Sequence, residues 1–560
     1  MQQLNDFMAA INAVLWHEIV LFALLGTGVL FTLWSRFSQF RALSHGTELL
    51  RGRYDASDAP GAVSHFQAMT AALSGTVGLG NIGGVALAIS LGGPGAVFWM
   101  WLVGLVGMAT KLTEVTLAML YRNVDDPRNP HGGPMWVARK GFAAKRADLA
   151  GFGKAVGVLL CITLLIATTT GGNMFQAWSV GDLTESYFGV PSVITGIVLA
   201  LIVGSVIIGG ISRIGAVTSK LVPAMVALYL LAGSFVLLSN AGAIPQMLIL
   251  IVTSAFSPAD AQGAFIGGSV ASAFLFGMKR AQFSNEAGQG TSPIVHAAAR
   301  THEPVREGVV AGLEPFVDTV VVCTFTALII LSTGVWNRPP GAYFETAPTV
   351  LPVSASMWTV ETMAAPARVD GRAWSTADDV FLIYQADANP ASGNALHRLY
   401  GHVEFGASGE ATLVWGEFTS GVVPQVQNAG IYLDYTGATL TAQAFDSVAP
   451  GLGQWLVTFA AWLFAISTMV SWSYYGEQGI VYLAGQRAVL PYKVAYCALI
   501  VVATLGFIRT STELDNLTGI GMGVMLVANL PIMWLFGHQA IAAYRNYIRR
   551  LDSGEFEKQQ

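Results

Sequence analysis

The sequence predicts an all-α polytopic membrane protein: eleven transmembrane helices, one at the N-terminus ahead of two five-helix sets that read as an inverted repeat, with a small β-rich insertion outside the cytoplasm. Three observations carry this. Of the 560 residues, 53% are hydrophobic and only 11% are charged, against about 25% charged in a soluble globular protein, and mean hydropathy is +0.55. Apolar stretches of about 20 residues recur along the chain, the length needed to cross the hydrocarbon core. One long polar stretch instead alternates apolar and polar residues between turn clusters, as strands do. This composition sets aside a soluble enzyme, a nucleic-acid binder and a disordered scaffold, and leaves the lipid bilayer as the main solvent.

The apolar stretches fall near 15–35, 66–90, 95–121, 155–180, 191–210, 217–238, 264–301, 308–334, 452–474, 491–508 and 514–536. Leu15–Trp34 has no basic residues before it and no small-residue cleavage site after it, so it is expected to span the membrane rather than to be a cleaved leader. The loops set the orientation. Basic residues follow the odd-numbered spans: Arg36, Arg41, Arg51 and Arg53 after the first, Arg122, Arg128, Arg139, Lys140, Lys145 and Arg146 after the third, and Arg545, Arg549 and Arg550 after the last. The opposite loops, with Asp182, Glu185 and Asp260, lean acidic. The positive-inside rule then places the N-terminus outside and the C-terminus in the cytoplasm of a cell (inner or plasma) membrane. A net charge of −5 carries no signature of a nucleic-acid partner, and no obligate protein partner is implied. Cys161, Cys323 and Cys497 lie in apolar runs and read as small packed hydrophobes.

Between Asn337 and Tyr435 the composition changes to 10 acidic and 4 basic residues, a net charge of −6, leaving the rest of the chain near +1. The runs 380–385, 411–415 and 430–434 alternate as short strands, bounded by Gly, Asn and Ser. Following the eighth span, this segment is expected outside the cytoplasm. The chain thus divides into a membrane core at 1–336, an inserted β-rich domain at 337–435 and the last three core helices with a cytoplasmic tail at 436–560.

Two spans carry polar, glycine-rich interruptions. Ser74-Gly-Thr-Val-Gly-Leu-Gly-Asn81 lies in the second and Ser284-Asn-Glu-Ala-Gly-Gln-Gly-Thr291 in the seventh; both contain S-x-x-x-G-x-G, and the matching residues are 210 positions apart. Glycine alone is explained by close helix packing. Here it comes with Ser, Thr, Asn and Glu, which are costly in hydrocarbon unless they face a cavity, and it recurs in two halves. That combination points to unwound helices flanking a midplane site, with free N–H groups for a carboxylate and free carbonyls for a cation. Among the charged residues inside spans, Glu286 is expected to be a buried anchor against polar backbone or a basic partner. Lys111 and Glu114 can pair at i,i+3, and Glu314 and Asp318 are candidates for lining the cavity.

Longer motifs carry a resemblance. Gly75-Thr-Val-Gly-Leu-Gly-Asn-Ile-Gly-Gly-Val85, Leu91-Gly-Gly-Pro-Gly-Ala-Val-Phe-Trp-Met-Trp101, Lys111-Leu-Thr-Glu-Val115, Gly132-Gly-Pro-Met135, Gly172-Asn-Met-Phe-Gln-Ala177, Phe283-Ser-Asn-Glu-Ala-Gly288, Asp318-Thr319 and Trp472-Ser-Tyr-Tyr-Gly-Glu477 together resemble the alanine or glycine:cation symporter family, the sodium:alanine symporters. The resemblance spans the chain outside the insertion. It implies a LeuT-like core of ten helices in two inverted repeats behind one extra helix, and symport of a small neutral amino acid, alanine or glycine, with sodium as the co-transported ion and no organic cofactor. It also implies substrate contacts from Thr76, Gly78, Leu79 and Gly80, from Ala287, Gly288 and Gly290, and from Phe175 and Gln176, which would close over the substrate. Sodium would sit between the carbonyls of Ser74 and Val77 and the hydroxyls of Ser467 and Thr468. Oxygen donors suit a hard cation; the structural alternative for Ser467 and Thr468 is bonding back to their own helix.

Two positions depart from the family pattern: Leu79 stands where Thr is usual and Trp178 where Asn is usual. Loss of a hydroxyl at 79 changes pocket shape and hydrogen bonding, while Trp178 either narrows the pocket or faces lipid. A family member with altered amino-acid specificity is therefore one alternative. A membrane sensor built on the same core, its external β domain recognising a ligand, is another. No enzyme is expected: no nucleophile elbow or phosphate loop occurs in its strand-to-helix setting, and the nine histidines are scattered.

Overall fold

The computed structural model describes residues 2–54, 58–375, 378–389, 394–406, 409–435, 437–506 and 511–556. Among them eight helices are long and apolar enough to cross a membrane: Phe7–Trp34, Gly95–Tyr121, Ala147–Phe188, Gly210–Ser239, Pro304–Ser332, Leu452–Ala484, Gln486–Ala503 and Thr518–Asp552. His65–Thr76 and Gly80–Gly92 qualify together as one broken span bent by 52°. The count by length is thus eight, or nine with the bent pair. The other two expected spans fall on Ser192–Ile207, only 16 residues long, and on Val270–Asn285 followed by the short helix Ser292–His296.

Polarity is distributed as a lipid solvent demands. Leu201, Leu231 and Leu238 are 70%, 74% and 77% exposed, whereas Lys111, Glu307, Glu314 and Asp318 are fully buried. Apolar side chains outward and charges inward is the arrangement expected where water is confined to the interior and the ends. Shorter helices between spans were not expected from the sequence, among them Pro134–Lys145, Ile244–Ser254 and Ala438–Asp446. Each is too short to span; Pro134–Lys145 and Ala438–Asp446 bury much of their apolar surface on the bundle, while Ile244–Ser254 leaves Leu248, Ile249 and Val252 exposed.

The alternating stretch forms two antiparallel sheets. The longest pair sets Asp379–Gln385 against Leu396–Phe405, with Asp379 opposite His402 and Gln385 opposite Leu396; Gly430–Leu433 flanks the first strand and Ala411–Trp415 the second. All three runs marked in the sequence are strands. Because alternate side chains point to opposite faces, Val380, Leu382 and Tyr384 fill the sheet's own core, while Phe381 and Ile383 pack with Tyr432 on Ala264 of the bundle. Arg398 rivets this contact by donating to the Ala264 carbonyl at 2.9 Å with its guanidinium over Phe381. The chain then leaves the sheet for Ala438–Asp446, where Thr441 donates to the Ile82 carbonyl at 3.2 Å.

At the base of the sheet, Asp434 has a buried carboxylate oxygen with no hydrogen-bond partner among the described residues. Burial pushes its carboxyl up to about 6, against the opposing pull of Arg398 and Arg338. A carboxyl raised in the folded state binds a proton that the unfolded chain has released, so stability falls as pH rises from about 4 to about 6. The thermal unfolding midpoint of the purified chain is expected to drop across that window in wild type, with a shallower slope in Asp434→Asn.

Candidate binding site at the helix breaks

A helix end leaves its last carbonyls unpaired, and the first break occurs because Val77 turns to an extended conformation (φ −76°, ψ 93°) after its N–H has bonded the Leu73 carbonyl. The polar groups around this turn are met by Leu452–Ala484. Ser74 donates to the Ser467 carbonyl at 2.6 Å, and Trp472 Nε1 donates to the Gly75 carbonyl at 3.0 Å. Gly78 lies against Thr468, where a Cβ would come within 2.7 Å of Oγ1. Ser467 bonds back to the Phe464 carbonyl at 2.9 Å and only distantly, at 3.5 Å, to Ser74. The Thr468 hydroxyl is buried with no partner among the described residues, and so are those of Ser471, Tyr474 and Tyr475 on the same helix. A buried hydroxyl left unmade costs about 1–3 kcal/mol, so Thr468, which lies against Gly78, is a candidate to meet a ligand or ion. This donor set fits sodium: Ser74, Ser467 and Thr468 converge, and the chain turns at Val77 beside them.

Around this point Thr76 and Leu79 are buried, while a Cβ on Gly80 would meet open space. Thr76 is occupied with its own helix, at 3.4 Å from the carbonyls of Ala72 and Leu73. Phe175 and Gln176 follow the π-helical turn Thr170–Met174, a local form frequent at functional sites. Gln176 donates to the Gly171 carbonyl at 3.1 Å, and its own oxygen is buried and unpaired among the described residues. Trp472 joins this turn to the first break, since its ring lies within 2.5 Å of where a Gly172 Cβ would be. Trp178 is half-buried one turn beyond.

The second break is built differently. Glu286 takes φ +55°, Gly288 +86° and Gly290 +91°, a left-handed stretch that favours glycine and strains a glutamate. The Gly288 N–H, expected to meet a carboxylate ligand, donates to Glu114 at 3.2 Å. The Gly288 carbonyl takes Asn529 Nδ2 at 2.9 Å, and Asn529 also holds Glu114 at 2.6 Å. Ala287 donates to Asn285 and packs opposite Gly107, while Gly290 lies against Pro134. In this conformation Ala287, Gly288 and Gly290 are therefore engaged by the protein itself. Glu286 is buried as expected, but its partner is the Thr291 hydroxyl, which donates to it at 2.5 Å, rather than the backbone or basic group expected.

The i,i+3 pairing of Lys111 with Glu114 is corrected: Lys111 reaches Glu314 at 3.1 Å, and Glu114 serves the second break. A charge buried on a helix face takes the partner that desolvates with it, across helices if need be. Glu314 therefore belongs to an ion pair rather than to the wall of a cavity. Asp318 instead joins the two breaks. It accepts from Asn81 at 2.5 Å, from Thr319 at 2.9 Å and from Ser284. Asn81 also accepts from the Gly78 N–H at 2.9 Å, and Cys323 lies 3.4 Å from both Asn81 and Ser284. Asn81 and Thr319 were missed as site residues, although Asn81 closes the first glycine-rich interruption and Thr319 stands next to Asp318.

Comparison with known proteins supplies the family. The profile described as the sodium:alanine symporter family matches residues 1–363 and 412–560. The chain belongs to that family. The part skipped holds the strands Asp379–Gln385 and Leu396–Phe405. The sodium/alanine symporter AgcS of Methanococcus maripaludis is 34% identical over 528 residues, 94% of each chain. An uncharacterized transporter of Haemophilus influenzae is 30% identical over 100% of this chain and 99% of its own. The amino-acid carrier protein AlsT of Bacillus subtilis is 34% identical over 60% of this chain and 69% of its own. Among solved structures, that of MhsT in complex with L-phenylalanine overlays with a TM-score of 0.44 at 14% identity, over 87% of this chain and 96% of that one. Membership of this family makes the chain a multi-pass membrane transporter of the cation-coupled amino-acid class.

Asp318→Asn turns an acceptor of three donors into a group that must present an NH2 to one of them. The unfolding free energy is expected to fall by about 1–3 kcal/mol, read as a lowered thermal midpoint of the purified chain, and Asp318→Glu is expected to fare no better because its longer arm displaces Asn81.

Proposed function

We propose that this chain is a secondary active transporter that moves a small neutral amino acid, alanine or glycine, into the cell with sodium by alternating access. The observation that carries the reading is the unpaired Thr468 hydroxyl facing Gly78 beside Ser74 and Ser467. Sodium bound by the Ser74 and Val77 carbonyls and the Ser467 and Thr468 hydroxyls would tie the first break to Leu452–Ala484. The substrate would lie by Thr76, Gly78, Leu79 and the open side of Gly80, under Phe175 and Gln176. Its carboxylate would reach Gly288 only if Glu114 gave up that N–H, so we infer that substrate binding and the Glu114 contact exclude one another. The reading includes eleven spans in a LeuT-like arrangement of one helix plus two five-helix repeats, with the N-terminus and residues 337–435 outside the cytoplasm and the C-terminus inside.

The driving force is adequate. One sodium falling through ~100 mV contributes about 2.3 kcal/mol and a tenfold gradient adds about 1.4 kcal/mol. The sum of roughly 3.7 kcal/mol sustains about 400-fold accumulation of substrate.

Uptake by the full chain in proteoliposomes tests the reading, with alanine, glycine and larger neutral amino acids offered with and without an inward sodium gradient. Sodium-dependent uptake of alanine or glycine is the expected result. Sodium-driven uptake confined to another amino acid would place the specificity change at Leu79 and Trp178, and silence across the panel would sink the transporter reading in favour of a sensor. In the same assay Thr468→Val keeps shape but removes an oxygen ligand, so the sodium concentration for half-maximal rate is expected to rise about tenfold, the equivalent of 1.4 kcal/mol, whereas Thr468→Ser stays near wild type.

A further inference from the structure

Five ionisable side chains from four spans make one buried chain at the end of the bundle away from the β sheet. His65, which opens the first broken span, meets Glu307 through Nδ1. The other Glu307 oxygen meets His296 Nδ1 at 2.5 Å, and His296 Nε2 meets Glu314. Glu314 then takes Lys111 Nζ at 3.1 Å and the Ser292 hydroxyl at 2.9 Å. None of the five side chains is more than 2% exposed.

The hydrogen-bonding inventory places a proton here. An ionised carboxylate only accepts, and a neutral imidazole offers one donor and one acceptor. His296 sets both ring nitrogens on carboxylate oxygens, so the Glu307–His296–Glu314 unit holds together only with one proton beyond the neutral ring. His65 needs none: Nδ1 serves Glu307, and Nε2 is buried without a partner among the described residues, which suits a neutral ring. With Lys111 as ammonium, two carboxylates then balance one imidazolium and one ammonium. Removing the proton leaves an uncompensated buried negative charge and a ring lone pair against a carboxylate oxygen, both strongly unfavourable. The other charged groups in reach are Arg122, which faces Glu307, and Glu114, Glu286 and Asp318, which share the field of Lys111.

This unit flanks a closed seam. Residues just before His65 pair with those just after His296: Ala62 N–H donates to the Ala298 carbonyl and Arg300 N–H to the Val63 carbonyl, both at 2.8 Å. Arg122 ties the seam by donating to the carbonyls of Pro60, Ala297, Ala299 and Thr301. Any swing of the first broken span at this end must part the seam and pull His65 from Glu307.

We propose that the Glu307–His296–Glu314 unit is a proton-binding site that locks the seam: with the proton on it the seam is shut, and release of the proton opens it. The consequence for transport rests on the alternating-access reading above; the lock itself does not. Hydrogen–deuterium exchange of the full chain in lipid nanodiscs tests it, read on peptides covering 58–76 and 297–307 and normalised for the pH dependence of free amides. Protection there is expected to fall about tenfold or more in one step between about pH 6 and 10, while peptides from 211–230 show no step. The imidazolium signal of His296 in 15N-histidine spectra, assigned by its loss in His296→Gln, is expected to titrate at the same midpoint, and that variant to lose the step. Flat protection in wild type, or a step that survives in His296→Gln, overturns the proposal. Should that variant fail to fold, the wild type decides alone: with nine histidines and one seam, no imidazolium titrating within a pH unit of the exchange step overturns it as well. Absent uptake beside an intact step would remove the transporter reading and leave the proton lock standing.

Discussion

In a lipid interior no backbone N–H or C=O can be left to water, and each group freed where a helix unwinds must find a partner inside the protein. The arrangement of this chain is a consequence of that constraint. At the first break Leu73 keeps the Val77 N–H, Trp472 covers the Gly75 carbonyl and Asn81 caps the Gly78 N–H. At the second, Asn285 takes the Ala287 N–H, and Glu114 with Asn529 takes both polar groups of Gly288. Side-chain pairing is less complete, and the hydroxyls of Thr468, Ser471 and Tyr475 are among those without a partner among the described residues. Thr468 lies against Gly78 and Tyr475 against Gly75, both in the first break.

The same constraint gathers the charges. Lys111, Glu314, His296, Glu307 and His65 form one continuous chain because each, buried singly, would be far more costly than when paired. Asp318, with no cation beside it within ion-pair distance among the described residues, is held by three donors, from Asn81, Ser284 and Thr319. That cluster makes the two breaks mechanically one object, since Asn81 belongs to the first and Ser284 to the second. The ionic chain ties the same two spans again at the far end, through His65 and His296.

The β sheet adds a third tie at the opposite end. One face of Asp379–Gln385 supports the sheet and the other rests on Ala264, a few residues before the helix that leads into the second break. The segment leaving the sheet lies on Ile82, in the first. A sheet placed this way cannot shift without bearing on both broken spans, although its longest strand pair falls in the part that the family profile skips.

The sequence by itself determined the solvent, the repeated break and the alternating insertion. Those are local properties: hydropathy over 20 residues, glycine clustered with polar residues inside an apolar span, and period-two alternation are all written in neighbouring positions. It marks Ser74 through the repeated motif, and Ser467 and Thr468 through the family likeness, as candidates for the proposed sodium site. What it could not determine was partner choice. Lys111 stands three residues from Glu114 yet pairs with Glu314, and His65 and His296, 231 positions apart, became neighbours through Glu307. Only the tertiary structure decided these, because a buried charge selects its partner by shared desolvation and direct geometry, and spacing along the chain carries no record of either.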